Sequence, residues 1–125
     1  MRVAILATCN LNQWAMDFEG NLTRIKESID VARARGARFR VGPELEVTGY
    51  GCEDHFFEPD TFQHAWEAVA DLLRSEHTNG ILVDVGLPVL HRGVPYNCRV
   101  LLLNKEVVLV RPKLYLAGEG NYREA

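Results

Sequence analysis

Residues 42–51 of the chain read GPELEVTGYG, and they follow a short mixed run at 37–41. The Gly-Pro pair stops any regular element, so Glu44 is predicted at the point where a strand opens into a loop. A carboxylate held there by a rigid sheet can be aimed into a cleft, and nearby glycines let the backbone approach a ligand. A lone glutamate beside a proline is also typical of a solvated turn, so a catalytic interpretation depends on a second signal.

The second signal lies in residues 96–115, which read YNCRVLLLNKEVVLVRPKLY. Two apolar runs separated by a polar dipeptide predict a β-hairpin. Its strands are 98–103 and 107–110, and its turn is Asn104-Lys105. Pro112 ends the second strand, so Lys113 is predicted just beyond a strand end, as Glu44 is. A carboxylate and an ammonium group at strand ends of one sheet can share a pocket.

These motifs together resemble the nitrilase superfamily of carbon-nitrogen hydrolases: a Pro-Glu-Leu loop ending in Gly-Tyr, an Asn-containing hairpin and Arg-Pro-Lys. Further stretches narrow the resemblance to the N-terminal glutaminase domain of eukaryotic-type, glutamine-dependent NAD synthetases. They are ATCNLNQWAMDFEGN at 7–21, GYGCEDHFFE at 49–58 and EGNYRE at 119–124. The resemblance covers essentially all 125 residues. It implies the superfamily's α/β fold, a four-layer αββα sandwich, with this chain as roughly its first half.

The superfamily uses a catalytic triad of Glu, Lys and Cys, in that chain order. By resemblance, Glu44 matches the general base and Lys113 matches the residue that steadies the tetrahedral intermediate. The superfamily's nucleophilic cysteine comes well after the lysine, and none of Cys9, Cys52 and Cys98 occupies that position. Because acyl transfer needs a nucleophile, the resemblance implies that residues 1–125 alone are inactive.

The resemblance also suggests substrate-binding residues. Tyr50 is expected to line the glutamine pocket, and either Glu119 or Glu124 is expected to be a further acidic residue near the active-site entrance. The segment at 53–58 contains several potential metal ligands but is accompanied by no second ligand set at a suitable spacing. We interpret this segment as structural or as part of the pocket rim, since the superfamily hydrolyses amides without a metal.

The rest of the sequence predicts alternating strands and helices. The strands are 3–8 and 81–85, one helix runs from an Asn21 cap to Gly36, another runs from Thr61 or Phe62 to Glu76, and a Gly- and Pro-rich loop follows at 86–95. Apolar residues recur at helical spacing in both helices. This order favours an α/β layer in which helices cover one face of a sheet.

Composition excludes several classes of partner. The net charge is −3 and the basic residues are scattered, so no nucleic-acid surface is predicted. The three cysteines form neither a disulfide framework nor a zinc motif, which favours a reducing compartment. No apolar run approaches the roughly twenty residues that a membrane span requires. We therefore expect a cytoplasmic protein that binds neither nucleic acid nor membrane.

The resemblance implies that glutamine is the substrate and that the released ammonia serves the ATP-dependent amidation of deamido-NAD to NAD. ATP and magnesium would then belong to a separate synthetase domain that these residues do not contain, and no cofactor is expected here. Two alternatives remain, a stand-alone nitrilase-type amidase acting on another amide and a non-catalytic module that binds or regulates a full-length synthetase. A half-sheet exposes an apolar face and an edge, so we also expect a homo-oligomer or association with a full-length synthetase.

Overall fold

A computed structural model of the chain describes residues 1–118. Within them it contains five β-strands and two α-helices. The strands are β1 (Leu6–Thr8), β2 (Phe39–Val41), β3 (Leu82–His91), β4 (Val94–Leu103) and β5 (Glu106–Pro112). The helices are α1 (Phe18–Ala34) and α2 (Pro59–Arg74), and a short 3-10 helix at Glu53–Phe57 precedes α2. Neither α-helix in residues 1–118 has the length and apolar character needed to cross a membrane.

The strands form one sheet in the order β1-β2-β3-β4-β5. Strands β1, β2 and β3 are parallel, and α1 and α2 form the connections between them. Strands β3, β4 and β5 then pair antiparallel as two successive hairpins. The predicted sequence of strand, helix, strand, helix, strand and hairpin is therefore confirmed.

The core lies between the helices and one face of the sheet. Alternate residues of β3, Val83, Val85 and Leu87, are fully buried and belong to the same apolar cluster as Ile29 of α1 and Val69 of α2. Because side chains alternate along a strand, the intervening β3 residues face the other side of the sheet. One helical layer and one sheet layer of the predicted sandwich are thus present. Asn97 and Arg99 lie on the sheet face away from the helices, whereas Arg40 lies on the helical side, beside Ser28 of α1.

The structure corrects the predicted start of α1. The helix is capped by Asp17, whose carboxylate accepts a hydrogen bond from the Gly20 N–H at 3.1 Å. Asn21 lies inside the helix and is fully buried. Its side-chain amide donates to the carbonyl oxygens of Trp14 and Val47, at 2.8 and 3.1 Å. Asn21 therefore joins two loops. The sequence had predicted Asn21 as the helix cap, because it precedes the apolar periodicity, but its side chain does not cap the helix.

The predicted loop at 86–95 is also wrong, because β3 continues through most of it. The turn between β3 and β4 is formed only by Arg92 and Gly93, whose φ angles are 50° and 77°. Gly86 is a strand residue at a place where the chain passes very close. A Cβ atom on Gly86 would lie 2.6 Å from the main-chain nitrogen of Leu45. The glycine that resembled a turn signal is instead needed for close approach of another backbone.

The predicted hairpin turn between β4 and β5 is confirmed. Asn104 and Lys105 have φ angles of 49° and 64°, as a two-residue type I′ turn requires. The strand that follows, β5, forms an edge of the sheet. Its apolar residues at 107–110 are between 41% and 51% exposed. The sheet therefore ends at an edge strand that carries uncovered apolar side chains.

Candidate active site

Glu44 and Lys113 meet at one end of the sheet. Glu44 follows β2 in the loop at 42–49, which we call the glutamate loop, and Lys113 follows β5 directly. The Lys113 Nζ atom lies 3.0 Å from the Glu44 Oε1 atom, and the two side chains are 32% and 37% exposed. The structure thus brings the carboxylate and the ammonium group into one ion pair that solvent can reach.

Asn97 completes this cluster and was not identified from the sequence as a site residue. Its side-chain Nδ2 donates to the Glu44 Oε1 atom at 2.5 Å, and its main-chain oxygen accepts from the Lys113 N–H at 2.8 Å. Asn97 lies on β4, on the sheet face opposite to the core. The available signal was its alternation with the apolar residues of that strand, but the cross-strand register needed to place it near Glu44 is not visible in the sequence.

The glutamate loop extends alongside β3 after β2 has ended. The Gly42 N–H donates to the Asp84 oxygen at 3.2 Å, and the Val47 N–H donates to the Gly86 oxygen at 3.1 Å. Between these two anchors Leu45 has a φ angle of 52°, which is unfavourable for a residue with a side chain. Such a conformation persists only where its surroundings enforce it, and local strain of this kind clusters at functional sites.

A buried ion pair supports the glutamate loop from beneath. Arg40 on β2 donates to both carboxylate oxygens of Glu46, at 2.7 and 2.9 Å, and its Nε donates to the Ser28 hydroxyl at 3.0 Å. Both charged side chains are 0% exposed. Burial alone would lower the pKa of Arg40, but its hydrogen bonds and charge interaction with Glu46 outweigh burial and raise the pKa. Burial raises the pKa of Glu46 while Arg40 acts in the opposite direction, and the two-pronged geometry favours the ionised pair.

The other predicted site residues are Tyr50, Glu119 and Glu124. Tyr50 lies just after the glutamate loop and is 46% exposed, so its ring is accessible to a ligand. It follows Gly49, which has a φ of 84° and where a Cβ atom would lie 2.6 Å from the Trp14 oxygen. Glu119 and Glu124 lie outside the described residues.

Within residues 1–118, no cysteine hydrogen-bonds to Glu44 or Lys113. Cys98 is buried in the core cluster on the opposite sheet face, and burial raises the pKa of its thiol. Cys52 is also buried, with a pKa raised by burial, and its sulfur donates to the carbonyl oxygen of Thr48 at 3.2 Å. A buried thiol with a raised pKa is a poor nucleophile. Cys9 is partly buried.

The described part of the chain contains no group of three or more His, Cys, Asp or Glu side chains arranged to hold a metal ion. In the 53–58 segment, His55 and Glu58 form an exposed pair at 3.0 Å, and this contact with Glu58 raises the pKa of His55. Glu58 is thus engaged in local pairing with His55. The cluster of Glu44, Lys113 and Asn97 offers a proton acceptor, a positive charge and an amide donor.

Comparisons with known proteins identify one family and several similar proteins. The sequence pattern of the family described as Carbon-nitrogen hydrolase matches residues 5–125. A glutamine-dependent NAD(+) synthetase of Dictyostelium discoideum is 61% identical over 99% of this chain, which is 18% of the relative.

Two solved structures share the fold. A glutamine-dependent NAD(+) synthetase from Cytophaga hutchinsonii superposes with a TM-score of 0.89 at 33% identity, over 95% of this chain and 20% of that one. An amidase from Nesterenkonia sp. superposes with a TM-score of 0.77 at 20% identity, over 96% of this chain and 46% of that one. The chain thus spans less than a fifth of the length of its Dictyostelium relative.

Proposed function

Because the chain belongs to the carbon-nitrogen hydrolase family, we propose that it supplies the base and the cation of a site that hydrolyses the carboxamide of glutamine. The resemblance deduced from the sequence motifs is confirmed, and the close relatives are glutamine-dependent NAD synthetases. The observation that carries the proposal is the Glu44–Lys113 ion pair at 3.0 Å. The contact supports the proposal because it joins the carboxylate and the ammonium group to which the resemblance assigns the roles of base and cation.

Glu44 is suited to act as general base in this reaction. Within residues 1–118, the hydrogen bonds from Lys113 and Asn97 both reach Oε1 of Glu44, so Oε2 can accept a proton. A thiol supplied from outside the described residues would lose its proton to Glu44 and attack the carboxamide carbon. Protonated Glu44 then returns its proton to the departing nitrogen, the carbon-nitrogen bond breaks, and ammonia leaves. Water hydrolyses the resulting thioester, which releases glutamate and restores the thiol.

Lys113 is suited to stabilise the charge that develops during that attack. Its ammonium group is fixed by Glu44, and its backbone N–H is fixed by the Asn97 oxygen. A positive charge held beside the carboxamide oxygen stabilises the oxyanion of the tetrahedral intermediate without reorganising during the reaction. Tyr50 would line the glutamine pocket, with Glu119 or Glu124 as a further acidic residue at its entrance.

The ammonia released here would serve a second reaction. We propose that it amidates deamido-NAD in a synthetase domain that uses ATP and magnesium, so that residues 1–125 need no cofactor of their own. The identity of 61% to a synthetase, against 20% to the amidase, favours this role over that of a stand-alone amidase. We also propose a cytoplasmic location, because its three free cysteines suit a reducing compartment.

Ammonia release from glutamine by the natural full-length chain tests this proposal. We expect Glu44→Gln and Lys113→Ala each to lower kcat by about 10²- to 10⁴-fold, since a general base and an oxyanion partner contribute rate factors of that order. Residues 1–125 alone should release none.

Glu76 and Lys105 supply a matched control, because they form a Glu–Lys ion pair at 2.8 Å on the surface. Glu76→Gln and Lys105→Ala should leave the rate unchanged. Unchanged rates in the Glu44 and Lys113 variants would refute the proposed site. Release by residues 1–125 that disappears on Glu44→Gln would show that a cysteine within those residues, or water, is the nucleophile.

A further inference from the structure

Arg99 holds the backbone that immediately precedes Glu44. Its Nη2 donates to the Gly42 oxygen at 2.9 Å, and its Nη1 donates to the Pro43 oxygen at 3.0 Å. Its Nε donates to the Asp84 Oδ1 atom at 2.8 Å. The guanidinium group thus connects β4, on which it lies, with β3 and with the glutamate loop.

The fit between this guanidinium group and the loop depends on Gly86. Gly86 is directly opposite Arg99 in the β3–β4 register. A Cβ atom at Gly86 would lie 2.7 Å from the Arg99 Nη1 atom and 2.9 Å from the Pro43 oxygen. Both the guanidinium group and the loop backbone therefore occupy the space of the missing side chain. The sheet is shaped to receive this arginine and the loop together.

Asn97 and Arg99 act on Glu44 from the same strand. They are two residues apart on β4, so their side chains project from the same face of the sheet. Asn97 holds the carboxylate of Glu44 and the backbone of Lys113, whereas Arg99 holds the two carbonyl groups before Glu44. A single strand, β4, thereby holds both Glu44 and Lys113 and fixes their relative position.

We propose that Arg99 is a positioning residue, which fixes the orientation of Glu44 toward Lys113 by holding the peptide groups of Gly42 and Pro43. The inference rests on the proposed glutamine hydrolysis at this site. Arg99 donates no hydrogen bond to the Glu44 carboxylate, so it acts through the backbone. Asp84 orients the guanidinium group and balances its charge.

An arginine is required at this position because of its shape. A planar guanidinium group presents several N–H donors in a fixed fork, and here the fork reaches two adjacent carbonyl oxygens and one carboxylate. A lysine would carry the same charge but cannot hold both carbonyl groups in that geometry. Displacement of Glu44 by about 1 Å is enough to slow a positioned reaction about 10²-fold.

The test compares Arg99→Ala and Arg99→Lys with the natural full-length chain in glutamine hydrolysis. We expect both variants to lower kcat by about 10²-fold with little change in KM, since Glu44 is displaced and the substrate contacts remain. Added guanidinium ion at millimolar concentration should raise the kcat of Arg99→Ala about tenfold, because it replaces the missing donors. It should leave Arg99→Lys unchanged.

Arg74→Ala is the matched control, since Arg74 is exposed at the end of α2 and should tolerate truncation without loss of rate. A wild-type kcat in both Arg99 variants, with Glu44→Gln still inactive, would overturn the positioning role alone. Loss of the Glu44→Gln effect would instead overturn the proposed function.

The crystal structure of Arg99→Lys decides the geometric part of the inference whether or not glutamine is hydrolysed. We expect the glutamate loop to shift and the hydrogen bond between Glu44 and Lys113 to be lost. If Glu44 Oε1 and Lys113 Nζ remain within hydrogen-bond distance in that variant, the positioning role is wrong.

Discussion

Arg40 and Arg99 hold the glutamate loop on the two sides of Glu44 by different means. Arg99 binds the backbone before Glu44, whereas Arg40 binds the carboxylate of Glu46 two residues after it. Since Arg40 also donates to Ser28 of α1, the second end of the loop is tied to the helical layer. Glu44 therefore lies between two fixed points in a backbone that includes the unfavourable φ of Leu45.

The buried ion pair of Arg40 and Glu46 is expected to contribute to stability. We expect Glu46→Gln to lower the free energy of unfolding by about 3–5 kcal/mol, because Arg40 keeps its charge at a fully buried position and loses its carboxylate partner. The double variant Arg40→Met/Glu46→Leu should lose less, since it removes both charges. Urea unfolding of residues 1–125, followed by tryptophan fluorescence, measures both.

Glu76→Gln is the control for this measurement, because Glu76 takes part in an ion pair at the surface. It should not change the unfolding midpoint measurably. A Glu46→Gln midpoint equal to that of the unsubstituted chain would mean that the buried charge is compensated by some other group.

Glu44 and Lys113 were predictable from the sequence, whereas their supporting residues were not. A proline that ends a strand can be recognised locally, and both residues stand beside one. Asn97 and Arg99 act on Glu44 across more than fifty positions of the chain, at separations of 53 for Asn97 with Glu44 and 56 for Arg99 with Pro43. Contacts of that kind depend on register between strands, which a local pattern does not specify.

Among the elements, the strand β3 shows best where sequence patterns fail. The mainly apolar run at 81–85 was predicted as a strand, but Gly86 and Pro88 were interpreted as loop residues. Glycine and proline are turn signals only where the chain is free to turn. Here the hairpin partner β4 pairs with β3 across the whole segment, so tertiary pairing overrides the local preference. The helices, whose apolar periodicity extends over several turns, were predicted with smaller errors.

The second prediction belongs to α1 and the loops that it joins. We expect Asn21→Ala to lower the free energy of unfolding by about 1–3 kcal/mol, because it leaves the Trp14 N–H and the buried Val47 carbonyl oxygen without the hydrogen bonds that Asn21 supplies. Urea unfolding measures this loss. Asn12→Ala, at an exposed position before the helix, serves as the control and should have no effect.

Equal stability of the Asn21→Ala variant and the Asn12→Ala control would contradict this role. It would show that water can replace the amide between the two loops, and that Asn21 acts only as a helix residue.

In the molecule as a whole, helices cover only one face of the sheet, and the sheet ends in an exposed edge strand. The apolar side chains of β5 at 107–110 are about half exposed, and those of Val3, Ile5 and Leu6 near β1 are between 51% and 79% exposed. Edge strands of this kind pair readily with other chains. We propose that these surfaces are covered by a second copy or by a longer synthetase chain.

The third prediction follows from this exposure. Residues 1–125 should associate as their concentration rises, and Val108→Lys should suppress the association because a charge on an edge strand opposes pairing. Size-exclusion chromatography with light scattering measures the mass. Val31→Lys is the control, since Val31 is 53% exposed on α1, away from the sheet edge. A monomer at every concentration, or equal suppression by both variants, would refute association through β5.

The ion pair between Glu44 and Lys113 also bears on the stage of folding at which the site can form. Glu44 and Lys113 are 69 positions apart, and two hairpins must form between β3 and β5 before Lys113 reaches its place. A contact between such distant positions carries a larger loop-closure entropy than the local turns do. We therefore expect the site to be assembled late as the chain folds, so that a molecule that holds this ion pair has already paired β3, β4 and β5.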